Sequence, residues 1–252
     1  MVNVTLSPLY RADGSATFTS NGYSVIAAVN GPIEVQRRDE LPEEAAIDVA
    51  IRPAAGVGGV RERHLESIIQ NTLRHVILVS AHPRTLIQIT LQIVASQDDS
   101  LYPGNLPQAA SNVPVLPALL QASILALLSA SIPLSMTLTA TLISVKENGG
   151  VAPSPSAQDL EAATSIHVLA FSSHGDLLVV ESEGYFTMDT WEKVYAKARL
   201  ICHGEKEEDS ESEDLSMDTE EVTKLEDILK DAVRQKVAAE YRWKQSPDSA
   251  AT

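Results

Sequence analysis

Gly56-Val57-Gly58-Gly59-Val60-Arg61-Glu62-Arg63-His64-Leu65-Glu66-Ser67-Ile68-Ile69-Gln70-Asn71-Thr72-Leu73-Arg74-His75-Val76, and further on Thr85-Leu86-Ile87-Gln88-Ile89-Thr90-Leu91-Gln92-Ile93, change hydrophobic period within one stretch. In the first part Leu65, Ile68, Ile69, Leu73 and Val76 recur at three- and four-residue spacing, the apolar face of an amphipathic helix. After Pro83 the period becomes two. Ile87, Ile89, Leu91 and Ile93 point one way and Gln88, Thr90 and Gln92 the other, as in a strand with one buried face. The polar face carries no charge, which suits a sheet face covered by something other than bulk water. The glycines form a loop before the helix, whose first turn carries Arg61, Arg63 and His64.

Strand signals extend toward the N-terminus. Asn21-Gly22 and Asn30-Gly31 are tight-turn dipeptides flanking a β-rich run over residues 23–29. Ile33 and Val35 alternate with polar neighbours, as do Ile47, Val49 and Ile51. Toward the C-terminus, residues 100–145 contain no Asp, Glu, Lys or Arg. A membrane span is disfavoured there, because five prolines and several polar residues interrupt the stretch and no basic flank follows. A buried helix over 116–130 and a strand over 135–145 account for it. Residues 149–157 read as a loop, and 165–172 and 176–182 as a strand pair joined by Ser173-His174-Gly175. A helix is predicted over 189–201, with Asp189 and Glu192 as a capping box. Residues 222–241 repeat at helical spacing (Leu225, Ile228, Leu229, Ala232, Val233, Lys236). The mixture of strand runs and helices indicates an α+β (mixed α/β) domain rather than a regular βαβ repeat.

The chain has 252 residues and a net charge of −15, enough length for a sizeable core. As an average, that charge argues against nucleic acid; its distribution reverses the argument. Residues 203–221 hold ten acids against Lys206 alone, net −9, and read as a solvated, disordered linker in which Ser210, Ser212 and Ser216 lie among acids. Residues 1–202 carry −7 and residues 222–252 carry +1. Between Arg52 and Arg84, five arginines (Arg52, Arg61, Arg63, Arg74, Arg84) and three histidines stand against Glu62 and Glu66. That window is the one electrostatic pointer to an anionic partner. The expected organisation is a domain over 1–202, an acidic linker over 203–221, and a C-terminal helix and tail over 222–252.

A single cysteine, Cys202, excludes an intramolecular disulfide and a cysteine-based zinc site and suits a reducing compartment. The first residues have neither a basic nor an apolar signal region, so no secretory signal is expected. No Walker A, dinucleotide fingerprint, zincin or nucleophile elbow occurs; after Gly56–Gly59 stands Val60-Arg61 where a phosphate loop has Lys-Ser/Thr. Asp98-Asp99 could hold Mg²⁺, though a solvated turn explains the pair. The histidines lack ligand spacing, and neither a metal site nor a cofactor is expected.

Several of these motifs, in this order, resemble the RNase PH family. Leu9-Tyr10-Arg11-Ala12-Asp13-Gly14-Ser15 is similar to that family's opening Arg-x-Asp-Gly-Arg. Residues 58–78 are similar to its arginine-rich helix, Arg84-Thr85-Leu86-Ile87 to the strand after it, and residues 175–201 to its last strand and helix. The resemblance covers roughly residues 5–202 and implies an RNase PH domain (ribosomal protein S5 domain 2-like), two-layer sheets with packed helices, plus a C-terminal helix after an acidic linker.

Within the family, the chain looks most like a core-ring subunit of the eukaryotic RNA exosome. The resemblance implies sibling RNase PH-like subunits in a six-membered hetero-oligomeric ring, S1/KH-type cap subunits, an associated hydrolytic nuclease, single-stranded RNA, no membrane, and residence in nucleus (including nucleolus) and cytoplasm. It implies RNA contacts at Arg61, Arg63 and His64. The catalytic positions depart from the family. Where phosphorolytic members have Asp-Gly-Gly-Thr-Arg, this chain reads Gln97-Asp98-Asp99-Ser100-Leu101-Tyr102-Pro103-Gly104-Asn105, two carboxylates and no cation to meet a phosphate dianion. Of the family's two carboxylates six residues apart, the first falls on Asp159 and the second on Ser165. Phosphoryl transfer depends on positioning and charge neutralisation. The expectation is therefore a catalytically inactive, structural and RNA-threading subunit for 3′→5′ RNA processing and degradation, rRNA processing included. The competing expectations are an active phosphorolytic 3′→5′ exoribonuclease using inorganic phosphate and Mg²⁺, or an adaptor unrelated to RNA.

Overall fold

The structure, a computed structural model, describes residues 2–96, 113–146, 148–204 and 224–244. In chain order the elements are β1 (Asn3–Leu6), β2 (Gly14–Ser20), β3 (Tyr23–Glu34), β4 (Ala46–Arg52), α1 (Val60–Val76), β5 (Thr85–Ala95), α2 (Leu116–Ser129), β6 (Leu138–Lys146), β7 (Val151–Pro153), α3 (Ala157–Glu161), β8 (Ala163–Ser172), β9 (Leu177–Gly184), α4 (Met188–His203) and α5 (Leu225–Glu240). Two sheets result, ordered β1-β2-β3-β5-β4 and β7-β6-β8-β9. All pairings are antiparallel except β4 with β5, whose parallel register is closed by α1. The expected α+β class holds.

The period-two pattern of β5 sets the first sheet. Val25, Ala27 and Val29 of β3 lie opposite Ile93, Leu91 and Ile89, while Val49 and Ile51 of β4 lie beside Ile89 and Leu91. All are buried on one face. Against that face pack Leu65, Ile69, Leu73 and Val76 of α1 and most of α2. The second sheet closes α2 from its other side with Leu138, Ala140, Leu142, Val168 and Ala170. A helix between two sheets needs apolar residues all round, which is why residues 116–130 lack charge. At Gly14 the sheet meets α2 so closely that an added Cβ would fall on Ala126 O and Ala130 N.

The alternate residues of β6 and β8 face away from α2. Ile143, Val145, Leu169 and Phe171 form a smaller core with Val194, Ala198 and Cys202 of α4. α5 returns to the body, packing on β1, α2 and α4. Leu229 is buried there, Lys236 Nζ donates to Ser129 O (3.1 Å) and Oγ (2.8 Å), and His203 Nδ1 donates to Glu226 Oε2 at 3.1 Å.

Several expectations are corrected. Asn30-Gly31 does not turn the chain, because β3 continues through an irregularity and pairs Ile33 with Leu86 and Glu34 with Thr85; Asn21-Gly22 does form the turn. The loop expected over 149–157 contains β7 and the start of α3. α4 is capped by Thr187, whose side chain accepts from Thr190 N, so Asp189 and Glu192 form no capping box. It runs from Met188 to His203, one residue before and two past the expected helix, and ends at Gly204 in the left-handed conformation. The described part of the terminal helix begins at Leu225. Most of the expected acidic linker, and the stretch 97–105 with Asp98-Asp99, lie outside the described residues.

Candidate nucleic-acid interface

β4 delivers the chain to a loop over residues 53–59, and α1 starts at its end. Because β4 and β5 are parallel, α1 is a crossover helix whose amino end stands at the carboxyl end of β4, the side on which α/β crossovers hold ligands. Side chains of α1 satisfy the outer edge of β4. Glu66 Oε1 accepts from Ile51 N at 2.7 Å and Gln70 Nε2 donates to Ile47 O at 2.7 Å. Those bonds fix where the first turn points.

Arg61, Arg63 and His64 are all exposed on that turn, with Arg52 exposed at the end of β4. At 100° per residue, Arg61 and His64 lie on neighbouring flanks of α1, about 60° apart, whereas Arg63 projects from about the opposite side. The structure therefore brings together two of the three predicted residues. Glu62 folds back to accept from Gly59 N at 2.6 Å, so the helix amino end already has its own carboxylate. The glycine loop presents Val57, and the first residue of α1 presents Val60, largely to solvent.

The wider basic window contracts. Arg74 Nη2 meets Glu44 Oε2 at 2.6 Å and Arg84 Nε meets Glu40 Oε1 at 3.4 Å, pairs with a segment remote in sequence. Exposed at the amino end of α1 are Arg61 and His64 on one side and Arg63 on about the other, with Arg52 exposed at the end of β4.

The two family carboxylate positions are also resolved. Asp159 lies in α3 and accepts from Ser156 Oγ at 2.8 Å and Ser156 N at 3.2 Å, while Lys146 Nζ lies 2.8 Å away. Hydrogen bonds from Lys146 and then Ser156 hold its carboxyl at a pKa of about 2, as suits a cap and ion pair rather than a proton donor. Ser165 is only 1% exposed. Its Oγ lies 2.9 Å from His167 Nε2, and His167 Nδ1 lies 2.8 Å from Ser182 Oγ. His167 has no exposed surface, and burial lowers its pKa. Its ring meets Phe186 and Trp191 edge-on, with centroids 4.7 and 5.7 Å apart. Sequence reading missed this group; the only signal was period two, which puts 165 and 167 on one strand face. Among the described residues no cluster of three or more His, Cys, Asp or Glu is placed to hold a metal ion, and no helix is long and apolar enough to cross a membrane.

Two sheets sandwiching a charge-free helix, with an arginine-bearing crossover helix at one end, define an RNase PH-type domain. The chain belongs to the 3′ exoribonuclease family, whose domain 1 matches residues 1–133. It is 34% identical over 195 residues to the exosome complex component RRP46 of Saccharomyces cerevisiae, a match covering 75% of this chain and 84% of that protein. It is 35% identical over 147 residues to the exosome complex exonuclease RRP46 homolog of Oryza sativa subsp. japonica, covering 58% of this chain and 56% of the rice protein. The crystal structure of rice Rrp46 superposes with a TM-score of 0.67 at 28% identity, over 77% of this chain and 85% of that one. A subunit of the Archaeoglobus fulgidus exosome with RNA bound to the active site shares the fold, with a TM-score of 0.61 at 12% identity over 79% and 84% of the two chains.

Proposed function

We propose that this chain is a non-catalytic ring subunit of an RNA exosome, contributing to assembly and to the threading of single-stranded RNA toward 3′→5′ degradation and processing, including that of rRNA. Its relatives are named for that complex, although one is called a component and another an exonuclease, so activity has to be argued from chemistry. One observation carries the argument: Ser165, at the family's second carboxylate position, is a buried hydroxyl tied to a neutral histidine. A group with no charge and no solvent access can neither hold a cation nor move a proton at a substrate phosphate. Among the described residues, those at the two carboxylate positions do not fit a catalytic Mg²⁺, and no reaction step runs through one. Support also comes from the first carboxylate, Asp159, which is spent on Lys146 and Ser156.

The exposed arginines at the start of α1 supply the RNA role. Arg61 and His64 on one side of α1, Arg63 on the other, and Arg52 at the end of β4 would contact the phosphate backbone without reading bases. Neighbours would be sibling RNase PH-like subunits in a six-membered ring, with S1/KH-type caps and a hydrolytic nuclease attached, in nucleus, nucleolus and cytoplasm. Purification from cells tests the assembly: the chain is expected to carry other RNase PH-like subunits with it, and a monomer without them overturns the reading. Incubated with RNA and inorganic phosphate, alone and with its ring partner, it should release no nucleoside diphosphate. Arg61→Glu with Arg63→Glu should weaken RNA binding by the assembled ring, most visibly at low salt, and equal binding across a salt titration refutes the α1 contact.

A further inference from the structure

α5 ends in Tyr241-Arg242-Trp243-Lys244, the last three residues forming a 3-10 turn. Two aromatic rings and two cations occupy four residues with no acid among them. Tyr241 is 47% exposed and Trp243 77% exposed, so neither ring serves the core. Lys244 Nζ lies 4.6 Å from the Tyr241 centroid and 5.1 Å from that of Trp243. One ammonium therefore lies within cation–π distance of both rings.

The position of this pair on the body is set by the helix. Leu229, Val233, Val237 and Tyr241 recur every four residues and form one stripe. Leu229 is buried and Val233 packs on the core, whereas Val237 and Tyr241 emerge. The bonds from Lys236 to Ser129 anchor α5 one turn before the tip. The same hydrogen-bond chain continues from Ser129 Oγ to Ser15 N and from Ser15 Oγ to Leu9 N, toward the exposed Tyr10 and Arg11. Cations after a helix carboxyl end are favourable in themselves. That explains Arg242 and Lys244 but gives no reason to hold a tryptophan in solvent.

We propose that Tyr241–Lys244 is a second contact for single-stranded RNA, in which unpaired bases stack on Trp243 and Tyr241 while Arg242 and Lys244 meet the flanking phosphates. Exposed aromatics interleaved with cations are what sequence-tolerant single-strand binding uses. A protein-docking hot spot would also use Trp and Arg, but within an apolar, water-excluding surround; here the chain neighbours of the rings are Glu240, Arg242 and Lys244, and the one apolar side chain emerging beside Tyr241 on its stripe is Val237, among the described residues. The site rests on the chain's proposed work on RNA but is independent of the α1 arginines.

The test titrates full-length protein with an unstructured oligouridylate of about ten nucleotides. Two signals are read: anisotropy of labelled RNA, and Trp243 emission, taken as wild type minus Trp243→Phe. Saturable quenching of Trp243 is expected, weakening as salt rises. Trp243→Ala with Tyr241→Ala should weaken binding about ten-fold, Arg242→Glu with Lys244→Glu should do at least as much, and Trp243→Phe should retain it. Anisotropy that reports binding while Trp243 emission stays unchanged overturns the tip site and leaves α1 intact. Quenching that persists in the α1 double variant supports the tip whatever becomes of the α1 contact. Quenching indifferent to salt and to Arg242→Glu with Lys244→Glu overturns it in favour of an apolar docking surface.

Discussion

His167 and Ser182 face each other across the β8–β9 register, and the ring bonds Ser182 through Nδ1 and Ser165 through Nε2. A buried imidazole with both nitrogens paired to hydroxyls is suited to its neutral form, and burial lowers its pKa below the ordinary 6.5. The unfolded chain therefore takes up a proton near that pH while the folded chain does not. The stability this group contributes is complete above about pH 6.5 and is lost as pH falls toward the folded value, by at most about 1.4 kcal/mol per pH unit. Urea unfolding at about pH 7.5 and about pH 5.5 should show that decline, and His167→Gln should remove the part of the slope due to this group. An unchanged difference between the two pH values in the variant would refute the assignment.

Putting a carboxylate back at position 165 should not revive catalysis. Ser165→Asp buries a charge beside His167, at a cost of more than about 2 kcal/mol at neutral pH. The folded variant relieves that cost by holding a proton, either on the new carboxyl or on the imidazole paired with it. Its stability should thus rise as pH falls, opposite in sign to the wild-type behaviour of His167. Paired urea titrations read the sign directly, and nucleoside diphosphate release should stay at background throughout.

The sheets and large helices were legible because each buries a face, and burial writes its period into the chain: Ile87 to Ile93 and Leu65 to Val76 are cases. The contacts that decide the site were not legible, because they depend on register. Nothing local links Ser165 to Ser182, or Arg74 to Glu44. Asn30-Gly31 misled because a turn dipeptide says nothing of the partner strand; β5 continues alongside and holds β3 extended to Glu34. The Asp13-Gly14 pair, read only as a family signature, has plain physical grounds. Asp13 Oδ2 accepts from Gly31 N at 2.9 Å, and Gly14 lies against α2.

Gly14 gives a direct packing test. A Cβ there would collide with the backbone of Ala126 and Ala130 and with the Ala130 methyl, and helix backbone cannot rotate aside as a side chain can. Gly14→Ala should cost about 2–3 kcal/mol, lowering the urea midpoint with little change in slope. A neutral effect would mean that β2 and α2 separate easily, against the packing described.

Cys202 is fully buried between α4 and β6, with Sγ 3.9 Å from Thr139 O. Burial, opposed in part by that contact, pushes its pKa up to about 12, so almost no thiolate forms at neutral pH. Iodoacetamide at about pH 8 should leave the native protein unlabelled and modify it completely in denaturant. Fast labelling of native protein would show that α4 opens.

α5 is held by a short apolar contact between two polar clamps, so it should be the first helix to leave. At one end burial works to raise the Glu226 pKa, but hydrogen bonds from Lys230 and His203 outweigh it and keep the carboxyl below its usual value. At the other end Lys236 donates twice to Ser129. Leu229→Ala removes the central anchor and should cost about 2 kcal/mol, low in the range for buried leucine because the site lies near the surface. Lys236→Ala should cost about 1 kcal/mol. Both losses should appear as faster amide exchange confined to α5, with β3, β5 and α2 unaffected, because the helix adds to the body without forming its core. Exchange that accelerates equally in α2 would instead make α5 part of the cooperative unit, and release of the tip from the body would then cost the whole fold.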